Sequence, residues 1–216
     1  PPFERYEKLT GALASQGYRV LVQPSAHRQM LEVDLSSPAL GDLCPPFVVI
    51  NDETKAELLA RPLGFPLFLK GSVQSLKHHG LDACIAKDPE SLVTLVRTLL
   101  RKQQHSRGRV VARPLLKLRH VRTSPLGFPI GREYRAVVFR GDVLDIAAYW
   151  DGTDSLTELS PSEARDVRDL AAKAAARLLS PLVGVDIGQT DDGRWWVIET
   201  NDPQFMGVSH LNPLVM

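Results

Sequence analysis

The stretch from Val183 to Asn201 reads VGVDIGQTDDGRWWVIETN and predicts a β-hairpin late in the chain. Two apolar runs flank Asp192-Gly193, a pair that readily adopts the positive φ angles of a tight turn. A symmetric turn centred on this pair sets Asp186 directly opposite Glu199. Because side chains alternate along a strand, four residues of the second strand are expected to share one face. They are Trp195, Val197, Glu199 and Asn201.

The polar residues of this hairpin predict a metal site. Directly opposed carboxylates destabilise a sheet unless something neutralises them. Asp186, Glu199 and Asn201 would offer two carboxylates and an amide oxygen, the hard ligands that Mg²⁺ takes together with substrate phosphates. The alternative is an exposed edge hairpin whose acids are solvated.

The composition is that of an ordinary globular protein, with 216 residues of which 44% are hydrophobic and 24% charged. A net charge of +1 gives no reason to expect nucleic acid or membrane as a partner. Basic residues are dense from Arg97 to Arg122, and acids concentrate from Asp142 to Asp202. These two segments could fold together around a polyphosphate–metal complex, or they could simply be solvated.

Cysteine usage predicts a reducing compartment. Cys44 and Cys84 lie in apolar surroundings without CxxC spacing, as expected of thiols that serve as small core residues. The sequence has no membrane-length apolar run and no opening signal-peptide pattern. We therefore expect a cytoplasmic protein, and we expect the Pro1-Pro2 start to be trimmed or disordered.

Residues 1–50 predict a small α/β unit, and residues 51–60 a further helix. The expected elements of residues 1–50 are a helix over Phe3–Ser15, a strand over Tyr18–Val22, a short helix over His27–Leu31, a connector over Ser36–Pro46 and a strand over Phe47–Ile50. Next, Phe65–Lys70 predicts a strand that ends in a lysine before a Gly/Ser loop, with Ala83–Ala86 as its partner. Such a lysine can meet a phosphate, although a strand-end lysine more often reaches solvent.

The second half predicts one more strand, two helices and a hairpin. The expected elements are a helix from Pro89, a strand over Gly108–Arg113, a loop over Thr123–Gly131, a hairpin of Arg132–Arg140 with Val143–Trp150, a loop over Asp151–Leu159, a helix behind the Ser160 capping box and an irregular tail. In the hairpin, Glu133 and Arg135 share a face, either as part of a site or as an ordinary salt bridge.

The order of these segments resembles the ATP-grasp superfamily, and within it the clade named for two arginines and one lysine. Four segments carry the resemblance: Gly64–Gly71 with Ser75–His79, Val110–Arg113, Arg132–Phe139, and Asp186 with Trp195–Asn201. The stretch GYRVLVQP around Tyr18 is also similar to the clade. The resemblance implies an α+β fold in which two α/β lobes with antiparallel sheets clamp a nucleotide. The implied parts are a reduced N-terminal part (1–50), a small lobe (51–113) and a large lobe (114–216).

The resemblance also implies roles for individual residues. Lys70 matches the lysine that contacts the α and β phosphates of ATP, and Arg113 and Arg135 match the two arginines. The remaining matched positions around ATP are Ser75, Lys77 and His78 in the phosphate-covering loop, Leu115 and Leu116 at the adenine edge, and Glu133 supporting Arg135. Asp186, Glu199 and Asn201 match the magnesium ligands. Because Thr-Asn-Asp follows Glu199 where the clade often has glycine, Asn201 or Asp202 could complete the set; strand alternation favours Asn201.

The resemblance implies an ATP-dependent carboxylate–amine ligase that uses Mg²⁺ and forms an acyl phosphate. Its substrates would be a small-molecule, peptide or protein carboxylate and an amine. Two alternatives stay open. The Arg-Glu-Tyr-Arg strand is also similar to the cell-division-cycle family of ATP-grasp assembly chaperones, which would bind Mg·ATP and a protein partner without ligation. A phosphotransferase would stop at phosphoryl transfer. An α/β protein that binds no nucleotide is the simplest contrary interpretation.

Overall fold

A computed structural model describes residues 3–125, 127–212 and 214. The expectation for Pro1-Pro2 lies outside these residues. The helices are α1 (Phe3–Ser15), α2 (Pro24–Leu31), α3 (Val33–Leu40), α4 (Ala56–Ala60), α5 (Pro89–Arg101), α6 (Gln103–Ser106) and α7 (Pro161–Ala176). The strands are β1 (Val48–Ile50), β2 (Leu67–Gly71), β3 (Ile85–Ala86), β4 (Val110–Pro114), β5 (His120–Thr123), β6 (Pro129–Gly131), β7 (Glu133–Phe139), β8 (Asp142–Ala148), β9 (Leu182–Gln189) and β10 (Trp195–Asn201).

The first sheet carries the strand-end lysine. Its strands run antiparallel in the order β1-β4-β2-β3. Leu67 and Leu69 are fully buried with Leu92 and Val96 of α5 in one apolar core. The helix α5 begins with the capping residue Asp88 followed by proline, as the sequence predicts, and Ser91 completes a reciprocal capping box. This packing holds β2 so that Lys70 emerges near its end.

The second sheet carries the predicted hairpin. Its strands run antiparallel in the order β10-β9-β7-β8. One face of this sheet packs against α7 in a second apolar core. This face carries the even-numbered residues of β7, such as Tyr134, and the odd-numbered residues of β9, such as Val185, which lie with Val167 and Ala171 of α7. The opposite face therefore presents Asp186 and its neighbours.

A β-bulge corrects one prediction about this hairpin. Asp186 does pair with Glu199, as predicted, but the register shifts between Val197 and Glu199. Because the bulge inserts Ile198 unpaired, Val197 enters the α7 core while Glu199 lies on the other face. The expectation that Trp195, Val197, Glu199 and Asn201 share one face is therefore wrong.

Three local predictions in the loops and the N-terminal part are also wrong. Tyr18–Val22 forms no strand, and Tyr18 is 63% exposed. The predicted connector over Ser36–Pro46 begins inside α3, because burial of Val33 and Leu40 outweighs the weak helix propensity of its serines and proline. The predicted loop over Thr123–Gly131 ends in β6, which pairs with β5.

The N-terminal part contacts both sheets. Val22, Ala26 and Met30 join the core of the second sheet, whereas β1 pairs with β4 in the first. Across the described ranges, no helix combines the length and the apolar character that a membrane span requires.

Candidate functional site

An ion pair joins the two sheets at the end of β2. Lys70 is 7% exposed, and its Nζ lies 2.7 Å from Oε1 of Glu199 on β10. Lys70 is the only charged residue of β2. Its burial is compensated by the ion pair with the Glu199 carboxylate on the second sheet. Desolvation alone would raise the pKa of Glu199, but the cations around it, Lys70 first and then Lys77 and Arg113, together hold that pKa below its usual value. Glu199 is therefore ionised at neutral pH.

A second pair lies beside the first on the second sheet. Arg135 of β7 binds Asp186 of β9 through two parallel hydrogen bonds of 2.8 Å each. Asn201 donates from Nδ2 to Oδ2 of the same carboxylate, at 3.0 Å. Burial raises the pKa of Asp186, and Arg135 offsets part of that rise. The forked guanidinium matches the carboxylate geometry, which lysine would not.

These two pairs explain how opposed acids coexist on neighbouring strands. Asp186 and Glu199 are direct register partners, as the sequence predicts. Like charges in that position repel, but each carboxylate has its own cation from another strand. The site therefore contains two anions and two cations in alternation. A metal–phosphate complex could replace these ion pairs, with the metal at the carboxylates and the phosphates at the cations.

Two further cations lie over the ring of Phe68. The Arg113 guanidinium lies 5.2 Å from the ring centroid and donates to the Ile198 carbonyl at 2.9 Å. The Lys77 ammonium lies 5.5 Å from the same centroid. The bulge at Ile198 turns that carbonyl toward Arg113, so the irregularity in β10 also fixes this arginine.

Glu133 lies at the β8 side of the site. Its Oε1 accepts a 2.9 Å hydrogen bond from the Trp150 indole. Burial raises the pKa of this carboxyl, while Lys77 and Trp150 act in the opposite direction. Glu133 does not contact Arg135 in an ion pair among the described residues, since Asp186 occupies that guanidinium.

The structure separates Asn201 from Asp202. Asn201 faces Asp186, whereas the Asp202 carboxylate turns to His27 of α2, with Oδ2 2.9 Å from Nδ1. Of the two candidates for the third oxygen ligand, Asn201 lies beside Asp186 and Asp202 does not; its role as a ligand stays a prediction. Sequence reasoning missed His27, because a contact across 175 positions leaves no local signal.

Four other predicted residues make contacts of their own outside this centre. Ser75 is half-buried after β2, and His78 stacks on His79 with ring centroids 4.2 Å apart. Leu115 bonds through its backbone N–H to the Pro66 carbonyl at 3.0 Å, and Leu116 beside it is half-buried. Within the described ranges, no hydrogen bond or ion pair connects these four side chains to the two acids.

The sequence also missed two groups that hold Arg135. The guanidinium lies 4.5 Å from the Tyr149 ring centroid and donates to the Gly207 carbonyl at 2.6 Å. The register of the predicted hairpin could have found Tyr149, whose N–H bonds to the Glu133 carbonyl. Gly207 belongs to the irregular tail, where no periodic pattern exists to indicate it.

The donor set fits magnesium better than a transition metal. Over residues 3–125, 127–212 and 214, no three His, Cys, Asp or Glu side chains are arranged to hold a metal. Two carboxylates and an amide supply only part of a shell, which suits Mg²⁺ because that ion keeps waters and takes substrate phosphates as ligands. Asp186, Glu199 and Asn201 are the residues that would hold it.

The fold, with two antiparallel sheets bridged by the Lys70–Glu199 pair, is the ATP-grasp fold. The chain belongs to family 3 of the ATP-grasp domains of the two-arginine, one-lysine clade, whose pattern matches residues 60–216. Both the superfamily and the clade are thus confirmed. A search of curated protein sequences found no match.

Solved structures agree on the fold. D-alanine–D-alanine ligase from Bacillus anthracis in complex with ATP is 19% identical, with a TM-score of 0.59 over 90% of this chain and 61% of that one. A RimK domain ATP-grasp protein from Sphaerobacter thermophilus is 17% identical, with a TM-score of 0.62 over 91% and 68%. The biotin carboxylase domain of 2-oxoglutarate carboxylase from Hydrogenobacter thermophilus, with MgADP and bicarbonate, is 16% identical, with a TM-score of 0.66 over 90% and 45%. The chain thus spans about half to two thirds of these proteins, and the likeness establishes the fold.

Proposed function

We propose that the protein is a Mg·ATP-dependent ligase that joins a carboxylate to an amine. The observation that supports this most is the ion pair Lys70–Glu199, which joins the two sheets, beside the pair Arg135–Asp186 within the second sheet. Family membership supports nucleotide use, and the structurally similar proteins include ligases with bound ATP or MgADP. In this proposal residues 51–113 and 114–216 are the two lobes that enclose ATP, with 1–50 as an N-terminal part.

The ion pairs suggest how the site would exchange partners. Phosphate oxygens are strong acceptors for lysine and arginine, so a bound nucleotide would take Lys70, Arg113 and Arg135. Asp186 and Glu199 would then be free to hold Mg²⁺ with Asn201. Magnesium, when bound, supplies neutralisation of the phosphate charge. The cations would contribute by positioning and by stabilising charge that develops during transfer.

The proposed chemistry has two balanced steps. First, a carboxylate oxygen of the substrate attacks the γ-phosphorus of ATP; the bond to the bridging oxygen breaks, and ADP leaves with an acyl phosphate formed. Second, the amine nitrogen attacks the acyl carbon, phosphate leaves with the electron pair of the broken C–O bond, and the nitrogen loses a proton to water. Arg135 and Arg113 would stabilise the oxyanion between these events. No nucleophilic side chain is required.

The proposal extends to substrates and compartment. The carboxylate and amine would come from small molecules, peptides or proteins, with no membrane or nucleic acid involved. A cytoplasmic location is supported by Cys44 and Cys84, which are free thiols buried in different cores.

Hydroxylamine trapping tests the reaction class directly. The full-length chain is incubated with Mg·ATP, hydroxylamine and panels of carboxylates, and hydroxamate and ADP are measured. We expect equal amounts of both with a suitable carboxylate, and none with Glu199→Gln. ADP formed with a stable phosphorylated product and no hydroxamate would instead indicate a phosphotransferase.

A further inference from the structure

We propose that a cavity between α2 and the segment after β10 binds the amine substrate, as a primary amine carrying a compact apolar group. This inference rests on the proposed function and specifies one of its substrates. The cavity has a volume of about 100 Å³ and borders Glu199 and Asn201 on one side. Its other walls include His27 and Leu31 of α2. It therefore adjoins the predicted metal ligands without containing the predicted phosphate-binding cations.

Charge divides the surroundings of Glu199 into two sides. A narrow cavity on one side is lined by Lys70 and Arg113 as well as Glu199. The 100 Å³ cavity on the other side is lined by Glu199, by Asp202 and by His27, which contacts Asp202, with no lysine or arginine among its described lining residues. Anionic phosphates and the carboxylate to be activated suit the first side, and an ammonium group suits the second. The segregation therefore favours an amine over an acid in this cavity.

The remaining walls are apolar and limit the size of the ligand. Leu31, Val73 and Met206 line the cavity beside its polar end. A dry cavity of about 150 Å³ holds the six carbons of benzene, so about 100 Å³ holds roughly four non-hydrogen atoms. Met206 has a flexible thioether that can adapt to a ligand. A branched aliphatic group of isobutyl size fits these walls, whereas a second charged group would be left without a partner.

Contacts between α2 and the tail preform this cavity. The Tyr6 and His27 ring centroids lie 4.1 Å apart, and His27 meets Phe205 at 5.4 Å and the Asp202 carboxylate at 2.9 Å. The same tail accepts a hydrogen bond from Arg135 at Gly207. The wall of the cavity is thus attached to an arginine of the predicted phosphate site, which would place the amine beside the activated carboxylate.

Ligand-observed NMR titration tests the inference with two probes that share an isobutyl group and carry opposite charges. Isobutylamine and 3-methylbutanoate are titrated into the full-length protein with Mg²⁺ and a non-hydrolysable ATP analogue. We expect the amine to bind about tenfold tighter than the acid. Leu31→Trp fills the cavity and should weaken amine binding about tenfold, whereas Leu9→Trp, at an exposed position of α1, should not. Asp202→Asn should reduce the preference for the amine.

The outcomes separate this inference from the proposed function. Nucleotide affinity, measured by calorimetry on each variant, shows that Leu31→Trp is folded. Nucleotide binding without amine binding, or equal binding of both probes, would overturn the inference and leave the ligase proposal standing. Loss of amine binding in Leu31→Trp but not in Leu9→Trp would support it. Absence of nucleotide binding in the wild type would overturn both.

Discussion

Lys70 and Glu199 form an ion pair that bridges the two sheets, with 2.7 Å between Nζ and Oε1. The lysine is nearly buried, while the Glu199 side chain keeps 40% of its surface exposed. The pair therefore has one accessible partner. An incoming metal ion or phosphate can reach the pair from the Glu199 side without disrupting either apolar core. A ligand would therefore reorganise the site at this contact.

Replacing Lys70 should weaken nucleotide binding. Lys70→Met keeps much of the buried aliphatic chain and removes the charge that would meet the phosphates. We expect the dissociation constant for Mg·ATP to rise about tenfold or more, measured by isothermal titration calorimetry. Lys87→Met is the matched control, because Lys87 is an exposed lysine paired with Asp82. Equal affinities for the two variants would contradict the role given to Lys70.

Replacing Arg135 should destabilise the fold. Arg135→Met leaves Asp186 buried without its bidentate partner, and breaking a buried pair from one side costs about 3 kcal/mol or more. Urea denaturation measures this loss in the free energy of unfolding. Arg165→Met, at an exposed position of α7, should change it by less than about 0.5 kcal/mol. Arg135→Lys should recover only part of the loss, because lysine cannot form the two parallel bonds.

Protonation of Glu163 should lower the free energy of unfolding in acid. This residue completes the α7 capping box and binds Arg132, and the Arg132 hydrogen bond lowers its pKa from 4.5 to about 2. The folded state therefore holds fewer protons than the unfolded state. The stabilisation is fully present above pH 4.5 and is lost as the pH falls toward 2.

Glu163→Gln isolates that contribution. We expect the variant to lose about 1 to 2 kcal/mol at pH 7, as for a helix cap, and to show a shallower decline in unfolding free energy below pH 4.5 than wild type. Urea titrations at several pH values provide the comparison. Parallel pH profiles for the two proteins would show that Glu163 titrates normally.

Gly71 should not tolerate a side chain. A Cβ at this position would lie 2.6 Å from the carbonyl carbon of His105 and 2.8 Å from the Cα of Ser106, both backbone atoms. Gly71→Ala should therefore cost about 1 to 3 kcal/mol of stability and displace the adjoining Lys70. Gly11→Ala in α1 meets open space and should stabilise the protein by about 0.5 to 1 kcal/mol. Similar melting temperatures for both variants would contradict this packing.

Local patterns were enough to predict the elements that position the site. The helix caps at Asp88 and Ser160 depend on neighbouring residues, as does a tight turn at Asp192-Gly193, and all three are present, although the loop holds three residues rather than two. The predicted Asp186–Glu199 pairing is present, but the turn alone does not produce it: next to the turn Trp195 pairs with Gln189, one position off the predicted register, and the bulge at Ile198 restores it. Conversely, Tyr18–Val22 has a strand-like composition but no strand beside it, because pairing depends on the distant chain.

The bulge at Ile198 shows most clearly why the site was only partly predictable. No glycine or proline marks it, and the strand sequence WWVIETN alternates no better with the bulge than without it. Its cause is tertiary: Val197 packs under α7, while Glu199 meets Lys70 on the other face. Likewise, His27 could be linked to Asp202 only by folding the first helices against the last strand.

A thermal-shift titration with ATP and Mg²⁺ tests the central claim most directly. The claim is that Lys70, Arg135, Asp186 and Glu199 together form a site for metal-bound nucleotide. A ligand at 100 times its dissociation constant stabilises the native state by about 2.7 kcal/mol, which is about 5 °C or more for a chain of this size. Wild type and the exposed control Glu90→Gln should show this rise only with both ATP and Mg²⁺, and Glu199→Gln should show little of it. An unshifted wild type, or an equal shift in Glu199→Gln, would contradict the account.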